Sequence, residues 1–131
     1  MGITLCSLVL LGIVTPQTVV AQTRTFKFHM NTQYAHGQKP NNGYVASKAD
    51  DEQKAYVTMT QFSKSSGSPT ISMYVTPSSG FRQVTTAYSW TGTASTKKLD
   101  YYETGRAGSS YKLCAEQFGN GAVVIGGRWT P

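Results

Sequence analysis

The chain has 131 residues, a formal charge of +6 and a pI near 9.4. That length supports one domain. Only two cysteines are present, Cys6 and Cys114, and Cys6 lies in an apolar leader, so the remainder can form no internal disulfide and depends on packing and strand pairing.

The first stretch differs from the rest. Ile3 to Val14 is apolar apart from Thr4, Cys6, Ser7 and Gly12, and Pro16-Gln17 breaks the run. Val19-Val20-Ala21 then offers small residues at a cleavage site, with Gln22 as the new N-terminus. A short apolar core before a small-x-Ala site predicts a secretory signal peptide over residues 1–21, and secretion to an extracellular or wall-associated place. The run is shorter than the roughly 20 apolar residues that span a bilayer. Met1-Gly2-Ile3-Thr4 lacks the usual Lys or Arg, and Cys6 stands too near the start for a lipoprotein. All charged residues fall within 22–131, so the predicted mature domain keeps the charge of +6.

Thr23 to Met30 alternates, with Phe26, Phe28 and Met30 on one side and Lys27 and His29 on the other. Period-two alternation predicts a strand with one buried face. Asn31 to Asp51 carries turn chemistry at His36-Gly37, Lys39-Pro40 and Asn41-Asn42-Gly43, with a short strand at Tyr44-Val45-Ala46. Ser47 and Asp50 resemble the start of a capping box, which predicts one helical turn over 47–54.

Ala55 to Phe62 and Thr70 to Thr76 alternate again. Separated by the Ser/Gly-rich stretch 63–69, they are predicted to pair as a β-hairpin with a long loop, with Ile71, Met73 and Val75 inward and Ser72, Tyr74 and Thr76 outward. Further strands are predicted over 81–90, 97–103, 110–118 and 122–129. Pro77-Ser78-Ser79-Gly80, Gly92 and the tight-turn sequence Gly119-Asn120-Gly121 punctuate them. The result is an all-β fold, a small antiparallel β-sandwich of about seven strands over 22–131. Gly126-Gly127 inside the last strand is read as a local kink that lets the sheet coil.

Catalytic and metal chemistry find little support. His29 and His36 are the only histidines, and no Cys or carboxylate stands at a ligand spacing from them. Asp50-Asp51-Glu52 lacks the spaced oxygens of a calcium loop. Asp100 and Glu103, three residues apart on a strand, face opposite sides and cannot work as a pair. No Gly-x-Ser-x-Gly elbow occurs. The sequence therefore predicts no enzyme activity, no cofactor and no metal.

A binding face is the stronger reading. Tyr56, Phe62, Tyr74 and Tyr102 are aromatics expected on outer faces, accompanied by Lys54, Lys64, Lys97, Lys98 and Arg106. Such a face would attract an anionic cell-wall polymer or a membrane surface. It is also compatible with a protein partner. The basic residues are scattered and no nucleic-acid motif is present, so nucleic acid is not the expected partner. Cys114 alternates onto the side of Lys112 and Glu116; it is either a small apolar residue under a covering strand or an intermolecular thiol able to form a covalent dimer.

Phe26-Lys27-Phe28 followed by Asn31-Thr32, Lys54-Ala55-Tyr56, and the ending Gly126-Gly127-Arg128-Trp129 resemble the small secreted β proteins of Gram-positive bacteria that remain uncharacterised. The resemblance covers the layout of 22–131 through short motifs, and it supplies no catalytic residues. It implies an exported binding or interaction module acting at the bacterial cell surface, or alternatively a bacteriocin-like toxin that assembles on a target membrane.

Overall fold

The structure, a computed structural model, describes residues 22–31 and 45–131. The predicted leader, the turn sequences of 32–43 and Tyr44 lie outside the described residues. Eight strands are present: β1 (Arg24–Met30), β2 (Val45–Ser47), β3 (Lys54–Gly67), β4 (Thr70–Pro77), β5 (Tyr88–Trp90), β6 (Ala94–Asp100), β7 (Ser110–Phe118) and β8 (Gly121–Thr130). They form two antiparallel four-stranded sheets packed face to face. Sheet A has the order β1-β8-β3-β6 and sheet B the order β2-β7-β4-β5. The fold is the all-β sandwich expected, with eight strands rather than about seven.

Alternation placed the core. Phe26, Phe28 and Met30 of β1, Ala55, Val57 and Met59 of β3, and Val123, Ile125 and Trp129 of β8 fill the inner side of sheet A. Ile71, Met73 and Val75 of β4 and Leu113 and Ala115 of β7 meet them from sheet B. Burying each such side chain contributes about 1.5–3 kcal/mol for the larger ones, and the period of two delivers them all to the same side.

Connectivity departs from the sequence reading. β3 and β4 do not pair: β3 lies between β8 and β6, and β4 between β7 and β5. Every connection except β4–β5 changes sheet. The turn signals outside the β4–β5 connection therefore mark corners of the sandwich, not hairpins. Two corners sit side by side, because Gly67 pairs with Gly121. Both adopt positive φ, 66° and 126°. A Cβ at Gly67 would overlap the Asn120 carbonyl oxygen, and one at Gly121 would overlap the Ser66 carbonyl oxygen. Only glycine satisfies that conformation and that approach together. The stretch 63–67 is correspondingly strand, not loop.

Two other expectations are corrected. No helical turn forms over 47–54; Asp50 instead accepts a hydrogen bond from the Glu52 backbone N–H at 3.0 Å, an Asx turn that competes with helix. Nor is 81–90 a continuous strand. Val84 N–H donates to the Val75 carbonyl in sheet B, whereas Thr86 N–H donates to the Asp100 carbonyl in sheet A. The segment hands over from one sheet to the other, and only Tyr88–Trp90 remains as β5. At Gly126-Gly127 the β3 register skips a residue between Met59 and Gln61. A Cβ at Gly127 would overlap the Thr58 carbonyl oxygen, so these glycines accommodate a bulge in the chain's own neighbouring strand.

Candidate functional site

Antiparallel partners point to the same side of a sheet. On the outer side of sheet A this brings Tyr56 between Thr130 and Lys98, and Arg128 between Thr58 and Thr25. Lys54 stands opposite Asp100, 3.9 Å from its carboxylate, and Lys27 opposite Gly126. Each of the four strands thus contributes a cation to one face: Lys27 from β1, Arg128 from β8, Lys54 from β3 and Lys98 from β6. Lys27, Lys98 and Arg128 are exposed and Lys54 is half-buried. Asp100 is the one acidic residue in the strands of this sheet.

Threonines fill the places between these charges. Thr58 and Thr96 share a hydroxyl–hydroxyl hydrogen bond of 2.7 Å across β3 and β6, and Thr23 and Thr130 share one of 2.9 Å. Strand propensity accounts for threonine here, since its branched side chain fits a pleated, half-wet surface. A shallow open depression of about 180 Å³ lies on this face, lined by those four threonines, Tyr56 and Arg128. The Tyr56 hydroxyl donates to the Glu52 carboxylate. That bond to an anion pushes the Tyr56 phenol above its ordinary value, so the ring stands neutral on the face.

Of the nine surface residues singled out from sequence, the structure gathers three: Lys54, Tyr56 and Lys98. The others are dispersed. Lys97 pairs with Val57 and therefore faces the opposite side from Lys98, its ammonium 5.1 Å from the Tyr88 ring. Phe62 packs against the core. Lys64 is exposed on the far arm of β3. Tyr102, 65% exposed, and Arg106 lie on the β6–β7 connection. Tyr74 points to the outer side of sheet B as alternation requires, yet is only 2% exposed. It does not stand on an accessible surface. Cys114 is fully buried on that same side, with its sulfur 3.6 Å from the Thr76 hydroxyl. Burial pushes its thiol above the ordinary range, outweighing the Thr76 contact and nearby Lys112. In this fold it acts as a small apolar residue, and a disulfide to a second chain would first require this face to open.

Sequence reading missed Arg128, Lys27 and the threonines. Arg128 had appeared only inside a terminal motif, and Lys27 only as the polar partner of two phenylalanines. Their signal is positional: each occupies the non-core phase of its strand, but strands distant in sequence bring them together. Lys48 was also missed. It is fully buried, 3.2 Å from the Asp50 carboxylate and 3.5 Å from the Pro131 carbonyl oxygen, with its ammonium 5.1 Å from the Tyr101 ring. The Glu52 backbone N–H and then Lys48 hold the Asp50 carboxyl below its usual value. This cluster ties the β2–β3 connection to the chain's last residues.

A second depression, about 170 Å³, is bordered by Val84, Tyr101, Tyr111, Arg82 and Glu103. Arg82 and Glu103 bond to each other, so its rim carries no net charge. Comparison with known protein families, with characterised proteins and with solved structures finds no match to this chain.

Proposed function

We propose that this chain is an exported, non-catalytic binding module that acts at a bacterial cell surface, holding an anionic polymer on the outer face of sheet A. One observation carries this reading: four neighbouring strands each present a cation on the same side, Lys27, Arg128, Lys54 and Lys98, against two carboxylates among the described residues, Asp100 beside Lys54 and Glu52 at the Tyr56 hydroxyl. Strands lie about 4.8 Å apart, so these charges form a compact positive field that a polyanion can span. The half-buried Tyr56 ring at its centre offers a flat apolar patch beside that field. The small-x-Ala pattern before Gln22 supports export.

The purified protein is expected to sediment with bacterial cell-wall fragments at low salt. It should be released as ionic strength rises, because exposed charges are screened over about 10 Å at 0.1 M salt. Absence from the pellet at every salt concentration would refute the reading. Dye release from lipid vesicles without wall binding would favour the bacteriocin-like alternative instead.

A further inference from the structure

We infer that the depression around Arg128 is a receptor for a single phosphodiester group, and that the polymer held on this face is a polyol-phosphate chain. The inference rests on the polyanion reading above and adds the chemistry of the bound group.

Hydroxyl protons decide what the depression can donate. A threonine hydroxyl has one proton and two lone pairs. In each of the pairs Thr58–Thr96 and Thr23–Thr130, one hydroxyl donates to the other. The accepting hydroxyl keeps its own proton. Two O–H donors therefore remain, one from each pair, and both pairs line the depression that also contains Arg128. The Arg128 side chain is exposed and forms no ion pair among the described residues, although Asp100 lies on the same sheet face and pairs with Lys54. Its planar fork of N–H groups suits two oxygens of one anion.

A fork that shares its depression with two hydroxyl donors can select among anions. A carboxylate is planar and its two oxygens are taken up by the fork. A phosphodiester also offers two charged oxygens to the fork, and its tetrahedral centre adds two ester oxygens outside their plane, further acceptors that a carboxylate lacks. The neighbouring residues favour a polyol backbone over a nucleic acid. Sequence-tolerant binding of single-stranded nucleic acid uses several aromatic rings as stacking platforms. Among the described residues this face presents Tyr56 as its one accessible ring, and Trp129, which also borders the depression, is only 1% exposed. Lys54 and Lys98, across the sheet from Arg128, then serve the next phosphates along the chain as simple point charges.

Binding of the full chain to short poly(glycerol phosphate) is measured by calorimetry against a carboxylate polymer, poly(glutamate), at matched charge. The wild type should prefer the phosphate polymer. Arg128→Lys keeps the charge and removes the fork; it should weaken phosphate binding by about tenfold, the worth of a hydrogen bond to a charged group, and abolish the preference. A Thr58→Val, Thr130→Val double variant should reduce the preference while leaving poly(glutamate) binding unchanged. Lys98→Ala should weaken both polymers alike. Circular dichroism confirms that each variant keeps its sheet signal. Equal binding of both polymers by the wild type, or full preference retained in Arg128→Lys, overturns the inference and leaves the polyanion reading standing. No binding to either polymer removes both. Arg128-dependent binding to anionic phospholipid vesicles or to a single-stranded oligonucleotide, without binding to poly(glycerol phosphate), overturns the polyol assignment.

Discussion

The two outer faces of the sandwich obey the same alternation and meet different surroundings. On sheet A the outward residues of β3, β6 and β8 are Lys54, Tyr56, Thr58, Lys98, Arg128 and Thr130, all half-buried or exposed. In the middle of sheet B the outward residues of β4 and β7, Ser72, Tyr74, Thr76, Lys112 and Cys114, are none more than 8% exposed, and the face opens at its ends, at Ser110, Glu116 and Phe118. Part of that cover is visible in the β4–β5 connection. The Thr76 hydroxyl contacts the Pro77 and Gly80 carbonyl oxygens, and the Phe81 ring lies 4.1 Å from the Lys112 ammonium. A period of two tells which residues share a side; it does not tell whether water reaches that side. Sheet A keeps its outer face open, and there Lys98 and Arg128 stand exposed to water. Sheet B has closed the middle of its own, so a polar residue there is a structural element.

The sharpest way to break this comparison is a matched pair of tyrosine truncations. Tyr74→Ala should destabilise the fold by about 3 kcal/mol, as expected for emptying a buried aromatic site. Tyr56→Ala should cost less than about 1 kcal/mol, the scale of a cross-strand surface pair, and should weaken polyanion binding instead. Urea unfolding of the two variants decides the matter, and similar losses for both would erase the distinction between the faces. Tyr74→Phe sharpens it further. The Tyr74 hydroxyl is buried and has no hydrogen-bond partner among the described residues, so its removal should stabilise the protein by about 1 kcal/mol.

Alkaline pH gives a smaller effect with a fixed sign. Burial raises the Cys114 thiol above its ordinary value of 9.0. Between the unfolded and the folded values the native state retains a proton that the unfolded chain has lost. Stability must therefore fall as pH rises. The contribution is fully present below about pH 8 and declines from about pH 8.5 upward. Burial also raises the Tyr74 and Tyr101 phenols, which extends the loss above pH 10. Cys114→Ala should remove the first part of this slope in thermal melts between pH 8 and 10. A thiol reagent should label Cys114 only at the rate of unfolding; rapid labelling of the native protein would show that sheet B's face is open.

The smallest expected effect lies on sheet A. Asp100→Asn removes the exposed 3.9 Å pair with Lys54, a contact worth about 0–1 kcal/mol. Stability should scarcely change, while affinity for polyanions at low salt should rise because the opposing charge beside Lys54 is gone. Unchanged affinity in a salt titration would mean that Lys54 lies outside the ligand's reach.

The sequence made the core legible because burial follows a local rule: Phe26, Val57 and Met73 each alternate with polar neighbours. Glycine and asparagine at 119–121 likewise marked a turn through their own backbone freedom. What the turn connects was not legible. Pairing of Gly67 with Gly121 is a contact between residues far apart in sequence, and no local signal distinguishes a hairpin from a corner between sheets. The same limit applies to the site. Lys54, Tyr56 and Lys98 were found from composition, but Lys97 was grouped with Lys98 although adjacent strand residues face opposite ways. Arg128 and Lys27 join the patch only through the β1-β8-β3-β6 order, and Tyr74 left it because an outward position had been equated with an exposed one.

If ligand meets sheet A and not sheet B, a backbone-amide NMR titration with poly(glycerol phosphate) will show it. Amide shifts should concentrate at residues 54–58, 96–100 and 126–130, with 72–76 and 112–116 unmoved. Shifts centred on 72–76 and 112–116, or none at saturating polymer and low salt, would contradict it.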